Sequence, residues 1–119
     1  MSEEFLRVAK LELGEDITKI GILISGCSTD ADVLTKTADI EKHIHKIKGL
    51  APMMGQEHTG NIAALLDKIL KTMLAGKSVS GIYNTMILSH DFMKNALDGK
   101  AENYDALTQK IQTDHKDLL

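Results

Sequence analysis

From Val33 to Ala51 the positions Val33, Thr37, Ile40, Ile44, Ile47 and Ala51 recur at spacings of three and four. That is the helical period, sustained for about five turns. The same period returns in every other long segment. Phe5, Ala9, Leu13, Ile17, Ile20 and Ile24 share one face of a first helix, expected from Glu3 to about Cys27. Ser2 can cap it, and Gly14 and Gly21 predict a bend or break. The stretch from Ser25 to Asp32 reads as a turn, with Thr29 or Asp30 as the next N-cap. The second helix then runs from about Asp32 to Ala51 or a little beyond. Pro52 lacks a donor for the Lys48 carbonyl and crowds it, so the helix should end or kink there, with Gly55 closing the turn.

A third helix is expected from about Glu57 to Ala75, with Ile62, Leu65, Leu66, Ile69 and Met73 on its apolar face. Gly60, Ala63 and Ala64 would admit a close neighbour, and Gly76 is a C-terminal stop. Ser78 is the expected cap of a fourth helix carrying Val79, Ile82, Met86, His90, Met93 and Leu97, ended by Gly99. The fifth runs from about Ala101 to Leu118 and carries Tyr104, Leu107, Ile111 and Leu118. No segment reads as a strand. Short loops between long helices imply antiparallel neighbours. The predicted fold is all-α: five helices, up-down, with an antiparallel four-helix bundle built on helices two to five. The first helix is an addition packed across or alongside, and residues 1–119 form a single domain.

Composition narrows the function classes. The net charge of −3 offers no footprint for nucleic acid. No apolar run reaches membrane-spanning length, and the acidic N-terminus has no signal-peptide core, so a cytoplasmic location is expected. Cys27 is the single cysteine, which excludes an intrachain disulfide. It is expected to pack as a small apolar residue or at a helix end.

His45 lies about 120° from the centre of the Val33–Ala51 stripe, on a flank reachable from water. Lys48 and Gly49, three and four residues on, are the neighbours a helix places beside it. Lys48 brings a cation to the imidazole. Gly49 clears the space above the ring, although glycine within a helix costs about 1 kcal/mol. Transfer of a phosphoryl group to and from an imidazole nitrogen needs these features: a nucleophilic neutral ring, a balancing ammonium and room for a bulky donor or acceptor. The plainer reading is a surface histidine beside a surface lysine.

His45-Lys46-Ile47-Lys48-Gly49, followed by Leu50-Ala51-Pro52-Met53-Met54-Gly55, resembles the histidine-containing phosphotransfer (HPt) family. It looks most like the N-terminal phosphotransfer domain of chemotaxis-type histidine kinases. The motif covers about 25 residues, and the helical layout agrees over nearly the whole chain. The resemblance implies a phosphoryl carrier of two-component signalling rather than an enzyme with its own ATP site. His45 would accept phosphate on Nε2 from a histidine kinase or a phospho-aspartyl receiver and pass it to a response-regulator receiver. Magnesium would come from those partners, and no cofactor of this chain is expected. An acidic residue in the family orients the histidine ring through its other nitrogen. Ungapped alignment puts Asp67 there, where glutamate is usual. Otherwise Asp67 is a solvated aspartate paired with Lys71 at i+4. Ala64 stands where some members carry a second histidine.

Glu41, Lys42, Pro52 and Met53 would rim a docking face around His45. Met54 is expected in the core and Met53 is open to either role. The rings of His43 and His45 point about 200° apart on a helix and cannot share an ion, so no metal is expected. His90, on an apolar stripe, reads as a core histidine. No membrane or nucleic-acid partner is expected, and a monomer is the default. A helical adaptor that binds receivers or kinases without carrying phosphate is the alternative function. The chain reads equally as a free-standing carrier or as the first domain of a larger kinase.

Overall fold

The computed structural model describes residues 2–119. It is all-helical among these residues: α1 (Glu3–Ser25), α2 (Asp30–Thr35), α3 (Thr37–Met53), α4 (Glu57–Leu74), α5 (Ile82–Leu97) and α6 (Tyr104–Asp114), with a 3-10 turn at Lys116–Leu118. The Ser2 hydroxyl accepts the Phe5 N–H at 3.1 Å and caps α1. Gly14 and Gly21 do not break this helix. They are contact points instead: a Cβ on Gly21 would lie 2.6 Å from Nε2 of His90, and one on Gly14 would touch Leu97.

The expected helix from Asp32 to Ala51 is two helices. Lys36 leaves helical geometry between them (φ −110°, ψ 11°). The Thr37 hydroxyl donates to the carbonyls of Leu34 (2.8 Å) and Val33 (3.2 Å), replacing the ladder at the break. Thr29 caps α2 through the Asp32 N–H. α3 continues through Pro52 to Met53 before Gly55, at φ +74°, closes it. The Gln56 N–H reaches the Ala51 carbonyl (2.9 Å) and the Gly55 N–H reaches that of Pro52 (3.1 Å). These are the two bonds that end a helix at a left-handed glycine.

Ser78 does not cap α5, which starts at Ile82. Asp30 of α2 does the work across the fold, accepting the N–H groups of Gly81 (2.9 Å) and Tyr83 (2.8 Å). α6 is shorter than expected, because the chain leaves the helix at His115, whose Nε2 meets the buried Thr85 hydroxyl at 2.7 Å.

α3 packs between α1 and α4, α1 also packs along α5, and α6 lies against α4 and α5. Contact pairs run in opposite directions along each main neighbour. Asp16 meets His43 and Leu23 meets Lys36 between α1 and α3; Pro52 meets Gly60 and His45 meets Asp67 between α3 and α4. These neighbours are therefore antiparallel. The first helix is not the addition that was expected. Leu13, Ile17, Ile20 and Ile24 of α1 enter the core with Ile40, Ile44 and Ile47 of α3, while α6 buries only Ile111. Cys27 packs in the same core. No helix among the described residues is long and apolar enough to cross a membrane.

Candidate functional site

α3 and α4 come close where Gly60 faces Pro52; a Cβ at Gly60 would lie 2.8 Å from the proline Cγ. Further along the same contact, α4 turns Asp67 toward α3, where it is 1% exposed. Three nitrogens converge on its Oδ2: Lys71 Nζ at 2.9 Å, Lys48 Nζ at 3.3 Å and His45 Nδ1 at 3.4 Å. Glu41 stands one turn before His45, with Oε1 3.9 Å from the same ring nitrogen.

The electrostatics divide the two carboxyl groups. Burial alone would raise the Asp67 carboxyl, but hydrogen bonds from Lys71, Glu41, His45 and Lys48 outweigh it and hold it down at about 2. Glu41 moves the other way. Partial burial and the adjacent Asp67 raise its carboxyl above the ordinary value. The Lys71 ammonium is stabilised by Asp67 in turn.

A carboxylate only accepts, so Asp67 fixes the Nδ1–H tautomer of His45. That leaves the lone pair on Nε2, in a side chain that is 60% exposed. The 3.4 Å contact is long for such a bond, in the range that tightens when charge develops on the ring. A Cβ on Gly49 would meet nothing within 4 Å. No neighbour within the chain requires glycine there, and the helix tolerates it with open space beside the histidine.

Of the residues singled out in the sequence, His45, Lys48, Asp67 and Glu41 come together. Gly49 borders them. Asp67 is not a solvated aspartate, and its Lys71 pairing and His45 contact coexist on one oxygen. Pro52 and Met53 are exposed on the last turn of α3, with Met53 41% accessible, and Met54 packs against the core. Lys42 lines a cleft toward Lys19, Ile22 and Leu23 of α1. His90 is half-buried rather than fully enclosed, and burial pulls its pKa down.

Sequence reasoning missed a second cluster of the same composition. His43 Nδ1 lies 2.8 Å from Oδ1 of Asp16 on α1, and Lys46 Nζ lies 3.3 Å from that oxygen. The spacing His43…Lys46 repeats two residues before His45…Lys48. The signal was an acid, Asp16, inside the apolar stripe between Leu13 and Ile17. The two clusters differ in access: His43 is 8% exposed, so only His45 offers a ring nitrogen to a large partner.

Glu41, His45 and Asp67 also hold potential metal-ligand atoms within 4.8 Å of one another. Lys48 and Lys71, both within 3.3 Å of the shared Asp67 oxygen, place two positive charges where a cation would sit. His43 and His45 engage opposite helices, as their spacing required. No protein-family model, curated protein or solved structure matches the chain.

Proposed function

We propose that this chain is a phosphoryl carrier in which His45 is the acceptor, on an antiparallel four-helix bundle of α1, α3, α4 and α5. One observation carries the reading. An exposed imidazole has its inner nitrogen held by a buried, ionised carboxylate, and the helix beside it is left open by Gly49. In the first step the Nε2 lone pair attacks phosphorus and the donor's P–O bond breaks. Asp67 balances the charge that develops on the ring through Nδ1–H. In the second step the P–N bond breaks as an acceptor carboxylate takes the phosphoryl group. Lys48 is within reach of the added oxygens once it leaves Asp67.

Such transfer depends mainly on positioning and charge neutralisation, which a small carrier provides. The partners that fit are a histidine kinase as donor and a response-regulator receiver as acceptor, each bringing its own magnesium. Pro52 and Met53, exposed about two turns beyond His45, fit the rim of a transient docking face.

The test is phosphorylation by a promiscuous histidine kinase or a phosphorylated receiver with labelled ATP. Acid-labile label on the wild type and none on His45→Gln is expected. A chain that takes no label from several donors but still captures receiver domains would be an adaptor, and the carrier reading would fail.

A further inference from the structure

Seven large hydrophobic side chains remain exposed among the described residues, and four are on α1: Phe5, Val8, Leu11 and Ile22, the last two at 55% and 65%. Val8, Leu11, Glu15, Thr18, Ile22 and Ser25 succeed one another at alternating spacings of three and four. That is the spacing of a two-stranded coiled-coil seam. It lies on the side of α1 away from Leu13, Ile20 and Ile24, which face the core. A groove beside it, between α1 and α5, has Leu11, Ile22 and Leu97 in its wall, with Gly14 adding no side chain. Glu15 lies within the seam and Glu12 and Lys19 flank it; none of the three forms an ion pair among the described residues, although Glu15 and Lys19 are four apart on one helix.

We propose that this face of α1 is an interface with a second copy of the chain, the two α1 helices packing antiparallel about a two-fold axis at the level of Asp16 and Ile17. In an antiparallel pair each seam position meets its complement. Leu11 faces Ile22 of the second copy, Val8 faces Ser25, and Glu15 faces Thr18, each twice by symmetry. Lys19 then lies beside Glu12 and Glu15 of the second copy. The two most exposed apolar residues cover each other, and the unpaired charges meet opposite signs. This self-complementarity selects a second copy over an unrelated partner. The polar Glu15–Thr18 layer fixes the register at a cost in affinity. His45, on the flank of α3 that faces α4, stays uncovered in the dimer, so the interface does not depend on the carrier reading.

Sedimentation equilibrium over a concentration series tests the proposal on the full chain. A monomer–dimer equilibrium is expected. Leu11→Glu, at an exposed position, should abolish it with unchanged helicity. Lys19→Glu, which turns the contacts with Glu12 and Glu15 repulsive in both copies, should weaken it about tenfold or more. Glu12→Lys and Glu15→Lys added to Lys19→Glu should restore it. A chain still monomeric at about 1 mM, association indifferent to Leu11→Glu, or a charge swap that fails to restore binding would overturn it.

Discussion

Asp67→Asn removes one charge from a side chain that is 1% exposed and takes three nitrogens on one oxygen. The carboxyl sits at about 2 in the fold against 3.8 as a free group. That separation corresponds to about 2 kcal/mol of stability. Because the folded value is depressed, the contribution is full above about pH 4 and is lost as pH falls through about 2. Glu41 works against it, since its raised carboxyl is disfavoured as an anion beside Asp67. The substitution relieves that repulsion, so the net loss at neutral pH should be about 1–2 kcal/mol. Urea denaturation of both proteins from neutral pH down to about pH 2 reads it. The gap between them should close as acid protonates the wild-type carboxylate. A gap that stays constant over this range would refute the electrostatic account. The same variant also weakens the hold on His45. A hydrogen bond to a charged group contributes about 1.5–3 kcal/mol, which translates to about 10- to 150-fold slower phosphoryl acceptance. An unchanged rate in a folded variant would remove Asp67 as the orienting group.

Gly49→Ala should stabilise α3 by about 1 kcal/mol, because the added methyl meets nothing and alanine is the better helix former. It should slow phosphoryl transfer from a protein donor at the same time, and a faster or equal rate in stopped-flow assays would show that the gap has no role. Asp30→Ala removes the acceptor of two N–H groups at the start of α5 and should cost about 1–2 kcal/mol in thermal or urea melts. Ser78→Ala, at a residue that does not cap α5, should leave the melt unchanged.

The helices were legible because their cores are written as uninterrupted three-four spacing. Ile40, Ile44 and Ile47 and then Ile62, Leu66 and Ile69 are fully buried on the faces their periods assign. Boundaries were less legible where side chains compete with the backbone. Thr37 splits one expected helix through its hydroxyl, and His115 ends another through Thr85, 30 residues away. The expectation that Ser78 caps α5 failed for a similar reason. A distant carboxylate, Asp30, supplies what a local serine usually does.

The local half of the candidate site needed no fold. His45, Lys48 and Gly49 share a helix, and helical geometry alone sets their relation. Their meeting with Asp67 depends on the close contact of α3 and α4 at Pro52 and Gly60, and spacing along the chain does not encode it. The rank of the two histidines is also tertiary. His43 and His45 have the same lysine spacing, but α1 covers one and α4 leaves the other open. The sequence by itself determined an all-helical chain and one flank carrying an imidazole, a cation and a gap, because those follow from 3.6 residues per turn. Only the tertiary structure decided which carboxylate each histidine meets and which ring reaches water, because burial and charge pairing depend on which helices lie side by side.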